Sequence, residues 1–148
     1  MDGVNVARNV SLAGRALSAR IERGLAPYGI GRGEYRVLFA LYSEEGVPQK
    51  TLAERHHLHK GVIAHVVRRL EEKGYVERRT DPTDKRRKLL FLTDKAENIR
   101  PEIEELKATV DAEVVDGLTE AEIRALEAGL QTVSANLGVD LEANPDVN

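Results

Sequence analysis

Apolar residues recur along most of the chain at helical spacing. Val6, Val10, Leu17, Ile21 and Leu25 mark one face of a helix over residues 4–25, with Arg8, Arg15 and Arg20 among its polar positions. Pro27 and the glycines Gly29, Gly31 and Gly33 end that helix. A second helix, about Glu34–Glu44, buries Tyr35, Leu38, Leu41 and Tyr42 and stops at Gly46. A short helix, Gln49–Arg55, follows Pro48, a residue suited to a first helical turn. In the next, Lys60–Lys73, Val62, Ile63, Val66, Val67 and Leu70 form one stripe. Gly74 falls where a helix end calls for a left-handed residue.

The period then changes. Tyr75–Arg79 and Lys88–Leu92 read as two short strands joined by the polar segment Thr80–Arg87, which predicts a hairpin with a cationic tip. Helical spacing resumes with Ile99, Ile103, Leu106, Val110 and Val114 in a helix over 94–116 that Thr93 caps and Pro101 kinks or restarts. The last helix, 119–137, opens with a Thr119–Glu122 capping box and carries the stripe Ile123, Leu126, Leu130, Val133 and Leu137. The fold class is therefore mainly α with a small β-hairpin wing. Residues 31–93 form a winged helix-turn-helix part, 1–30 and 94–140 the flanking helices, and 141–148 a frayed tail.

Charge sharpens this picture. The net charge of −3 conceals +1 over residues 1–49, +6 over 50–95 and −10 over 96–148. A basic centre beside an acidic end suits a protein that turns one surface towards phosphates. The 148 residues include no Cys, which excludes disulfides, thiolate zinc sites and thiol redox switches. No apolar run reaches the length of a membrane span, and the Met1-Asp2-Gly3 start lacks a basic n-region followed by an apolar stretch. A cytoplasmic protein without membrane contact is expected. Nothing resembles a nucleophile elbow, a phosphate-cradling glycine loop or an HExxH zinc motif, so no enzyme and no cofactor are expected.

Two short helices and a basic hairpin form a unit whose second helix fits a DNA major groove. Lys60, Gly61, Ala64, His65 and Arg68 fall on its groove-facing side. Lys60 and Arg68 suit guanine edges or phosphates, whereas Gly61 and Ala64 permit close approach and contact with a thymine methyl. The four histidines, His56, His57, His59 and His65, all lie in this unit and raise the alternative of a metal- or pH-responsive regulator. A metal site needs three or four converging ligands. Adjacent helical residues such as His56 and His57 point apart, so no metal is expected, and turn packing or phosphate contact with some pH sensitivity is the simpler role. A winged-helix interaction module without specific DNA binding is the other alternative.

The segments Leu52-Ala53-Glu54-Arg55, Val66–Arg79, Asp81–Lys88 and Leu92-Thr93 resemble the multiple-antibiotic-resistance regulator (MarR) family. The similarity spans roughly 5–137 and is strongest over 52–93. It implies a two-fold homodimer with interdigitating terminal helices, a pseudo-palindromic double-stranded DNA operator and, in many members, repression relieved by small aromatic or anionic effectors. It further implies that Arg86 is a wing-tip arginine entering the minor groove, oriented by Asp84, with Arg78, Arg79, Lys85 and Arg87 on the same hairpin. Arg15, Tyr28, Arg32 and Tyr35, near the junction of the first two helices, are the candidate effector residues. The segment His59–His65 departs from the family in lacking the hydroxyls common near positions 61, 62 and 64. The extensive apolar faces of the terminal helices independently call for a partner subunit.

Overall fold

The computed structural model describes residues 5–31 and 33–141. Helix α1 (Asn5–Leu25) leads through a 3₁₀ turn (Ala26–Tyr28) to α2 (Glu34–Ser43), α3 (Gln49–Arg55) and α4 (Lys60–Glu72). The hairpin β1 (Val76–Asp81) and β2 (Asp84–Leu92) follows, then α5 (Asp94–Asn98), α6 (Arg100–Val114) and α7 (Glu120–Asn136). Most of these boundaries match the hydrophobic pattern. The exceptions are informative.

The helix expected over 94–116 is two helices. Thr93 caps α5 by accepting a bond from the Ala96 amide, and Pro101 sits in the first turn of α6, where its missing N–H costs nothing. Proline here starts a helix rather than bending one. The hairpin strands are also longer than expected, leaving only Pro82-Thr83 as the loop. Asp81 makes this tight turn possible. Its carboxylate accepts from the Thr83 amide at 2.8 Å and the Thr83 hydroxyl at 2.7 Å, the short-range pattern by which Asp stabilises turns.

Leu25, Leu38, Leu41, Leu52, Val67, Leu70 and Leu90 are fully buried in one core shared by α1, α2, α3, α4 and β2. The loop before α3 closes it from the wing side: Gly46 N–H donates to Leu90 O at 2.7 Å and Leu90 N–H to Val47 O at 2.9 Å. α1 crosses α6 at Gly24, where a Cβ would lie 2.4 Å from Leu106 Cδ1. Arg20 clamps the same crossing by donating two bonds to the Glu113 carboxylate, at 2.8 and 3.0 Å. That guanidinium holds the Glu113 carboxyl below its usual value.

A buried carboxylate fixes the end of α4 against the start of α2. Glu34, only 3% exposed, receives Lys73 Nζ at 2.8 and 2.7 Å on its two oxygens, and the Gly31 amide at 2.9 Å. Arg69 Nε lies 3.6 Å away. Removing such a group from water is tolerable only when its oxygens are answered this fully.

The terminal helices are different. α7 buries none of its residues, and Val6, Val10, Leu12 and Leu17 of α1 remain exposed together with Leu126, Leu130 and Leu137. Its capping box is formed, so the helix is locally well specified, yet among the described residues none of its side chains is buried. The His57 imidazole touches the segment after it, 3.2 Å from the Asp140 carbonyl.

Candidate nucleic-acid interface

α4 begins with an unusual cap. His59 is extended at the N-cap, and its Nδ1 accepts the Gly61 amide at 3.1 Å, taking the role that Ser or Asp usually plays. A Cβ at Gly61 would meet the His59 ring at 3.1 Å, so the glycine at this position has a local reason beyond any ligand. Ile63, Val66, Val67 and Leu70 are buried beneath the helix. Gly61, Ala64, His65 and Arg68 face outward, as the spacing predicts. The His65 and Arg68 side chains make no hydrogen bond or ion pair with the described residues. Lys60 is drawn back to Glu54, with Nζ 3.3 Å from Oε1.

Val62 corrects the sequence reading. It was expected in the apolar stripe of α4, but it is 47% exposed. Its position falls at the margin of the buried face, and the core closes over Val66 instead.

The hairpin presents its cations through an interruption of the ladder. Thr80 pairs with Lys88 and the adjacent Asp81 with Asp84, so Lys85, Arg86 and Arg87 fall between registered pairs of the ladder. Such a bulge re-aims side chains away from the sheet. The Arg86 side chain is 91% exposed, yet it is not unguided. Asp84 Oδ1 accepts both its amide, at 3.0 Å, and its Nε, at 3.2 Å. This side-chain bond with Arg86, then the backbone bond, pulls the Asp84 carboxyl below its ordinary value. Asp81 is lowered too, first by its side-chain bond with Thr83, and it lies 3.3 Å from Arg87.

The remaining wing cations are more occupied. Arg78 bonds Glu71, and Arg79 bonds Glu77 while its guanidinium lies 4.2 Å over the Phe91 ring. Both are structural struts as well as surface charges.

The other candidates are dispersed. His56 is buried with Nε2 3.1 Å from Glu44 Oε2, a carboxylate shared with Arg55, and its Nδ1 has no partner among the described residues. His57 adopts a left-handed backbone with φ 54°. Among the described residues no group of three or more potential ligands is placed to hold a metal ion. Nor is any described helix long and apolar enough to cross a membrane. Of the effector candidates, Tyr35 is buried with its hydroxyl 3.0 Å from Ser18 Oγ, and Arg36 Nε donates to it at 3.3 Å. Tyr28 packs on the core and its carbonyl accepts from the Tyr75 hydroxyl. Arg15 turns to Ser11 on its own helix, and Arg32 lies outside the described residues. A separate cleft of about 110 Å³ between α2 and α6 is lined by Phe39, Tyr42, Arg100 and Lys107 and includes none of these residues.

Sequence reasoning missed Asp81, the histidine cap, the exposure of Val62 and the partner role of Arg36. Only the Asp81-x-Thr83 spacing was an available signal for the first of these.

Comparison with known proteins agrees with this geometry. The MarR family model matches residues 30–88. The HTH-type transcriptional regulator TtmR of Methylorubrum extorquens (strain PA1) is 34% identical over 113 residues, covering 76% of this chain and 57% of that protein. The HTH-type transcriptional regulator SarZ of Staphylococcus epidermidis is 30% identical over 107 residues, covering 72% of this chain and 71% of that one. The crystal structure of the transcriptional regulator SlyA superposes with a TM-score of 0.83 at 26% identity, covering 90% of this chain and 94% of the other. A core of α2 to α4 with a two-stranded wing, matched in sequence and in fold, places the chain in the MarR family of DNA-binding transcriptional regulators.

Proposed function

We propose that the chain works as a homodimer, a ligand-responsive repressor of a pseudo-palindromic operator, with residues 31–93 reading DNA and the terminal helices pairing the subunits. The observation that carries this reading is the wing. Three consecutive cations, Lys85, Arg86 and Arg87, are extruded from the ladder, and Asp84 aims Arg86, whose side chain is 91% exposed. An arginine so presented suits a narrow minor groove, whose negative potential favours it. In the same docking, the first turns of α4 enter the major groove with Gly61, Ala64 and His65 near base edges and Lys60 and Arg68 near phosphates or guanine. Arg78 and Arg79 add charge at the flank.

The uncovered stripes of α1 and α7 support dimerisation. Apolar surface of this kind is what a two-fold interface buries. An acidic dimerisation end also keeps that side of the protein away from DNA. The effector reading rests on Tyr35, Ser18 and Arg36 meeting where α1 faces α2. A phenol, a hydroxyl and a guanidinium there suit an aromatic carboxylate, whose binding would shift the spacing of the two α4 helices.

The test is equilibrium binding to the promoter duplex beside the protein's own gene and to a scrambled duplex. The account expects preference for the promoter, and loss of both dimer and preference in Leu130→Asp. Equal weak binding to both duplexes would refute it. For the effector, a phenolic carboxylate such as salicylate is the probe. The effector proposal fails if salicylate changes neither promoter affinity nor melting temperature.

A further inference from the structure

The first turn of α4 is short of hydrogen-bond donors. The side chains of Gly61 and Ala64 offer none, Lys60 leans to Glu54, and His59 Nδ1 is taken by the cap, which leaves only its Nε2 side to donate. The largest accessible apolar group there is the isopropyl of Val62, 47% exposed, which the core leaves out. We propose that Val62 is a specificity-determining residue that reads the C5-methyl group of a thymine in each half-site; this rests on the DNA-binding reading above.

In the major groove the thymine methyl is the one apolar feature of the base edges, so a residue without polar atoms discriminates there or nowhere. A β-branched side chain on a helix is held near a single χ1, so its methyl surface is presented without ordering cost. The backbone beneath it is equally fixed, with Val62 N–H donating to His59 O at 3.1 Å. Small neighbours at 61 and 64 let the helix approach closely enough for methyl to touch methyl. Valine in place of a hydroxyl residue thus exchanges a hydrogen-bond contact for a methyl contact. The 5-methyl group of 5-methylcytosine occupies the same place in the groove and is read likewise.

The experiment uses the full chain and duplexes enriched by it from a random-sequence pool. Each thymine is replaced in turn by deoxyuridine, which removes only the methyl. One position per half-site is expected to lose about fourfold in affinity, and about fifteenfold when both half-sites are changed, the worth of one buried methyl per site. Val62→Ala, a change at an exposed position, is expected to bind the thymine duplex more weakly and to become indifferent to deoxyuridine at that position. The proposal is overturned if deoxyuridine changes nothing at any position, or if Val62→Ala keeps the wild-type sensitivity. Failure to enrich any sequence would instead remove the DNA reading on which it rests.

Discussion

The carboxylate of Glu34 is the point at which the orientation of α4 can be attacked without touching its outward face. Two substitutions separate the charge from its partner. Glu34→Gln keeps the volume but turns an amide N–H towards Lys73, and no buried charge remains. Lys73→Met leaves the carboxylate 3% exposed with only the Gly31 amide and a distant Arg69, and strips the Gly29 carbonyl of a 2.7 Å donor. Removing one partner of a fully buried pair costs about 3–5 kcal/mol. Lys73 and Arg69 are 36% and 39% exposed, so either cation can turn to water and the full figure does not apply. The expectation is about 1–2 kcal/mol for Glu34→Gln and about 2–3 kcal/mol for Lys73→Met. The double variant should cost less than the sum by about 1 kcal/mol, because its second change removes an interaction already lost. Urea unfolding at fixed protein concentration measures this, since a dimer's midpoint depends on concentration. Lys73→Met within ~0.5 kcal/mol of wild type, or strict additivity, would refute the reasoning.

Other expectations follow from the same geometry. Gly24→Val should destabilise by about 1–3 kcal/mol, because its side chain would overlap Leu106 at the α1–α6 crossing; an unchanged melting temperature would show that Leu106 moves aside freely. Arg86→Ala should leave folding intact and weaken promoter binding by about 1–3 kcal/mol, with a shallower salt dependence of affinity, both read from a salt series. The Asp81 and Asp84 carboxyls are held below their unfolded value of about 3.9. Their contribution to the wing is thus complete above that value and is lost as pH falls through the depressed ones. The Thr83 and Arg86 amide signals should hold steady between about pH 5 and 8, and Asp81→Asn should remove the acid change at Thr83.

Much of this molecule was legible because its helices obey simple rules. The stripe Ile63, Val66, Val67 and Leu70, the Thr119–Glu122 box and the left-handed Gly74 are all local patterns, and all are present as read. The failures share a cause. Val62 follows apolar spacing, but where the buried stripe ends depends on what packs beneath the helix, which periodicity does not record. The hairpin bulge depends on pairing across strands, so a polar run from Thr80 to Arg87 looked like a loop although most of it is strand. The cap by His59 escapes a rule written for hydroxyls and carboxylates. The role of Glu34 is invisible to local patterns because its partner, Lys73, is 39 positions away.

The central claim is that two copies of α4 and the wing engage DNA about a two-fold axis. Hydroxyl-radical footprinting of both strands of the promoter duplex tests it most directly. The account predicts two protected half-sites related by a dyad, with centres about one helical turn, ~10 bp, apart or a multiple of it, flanked by minor-groove protection that Arg86→Ala removes. A single protected block without a dyad, or protection that survives unchanged on scrambled DNA, would contradict it.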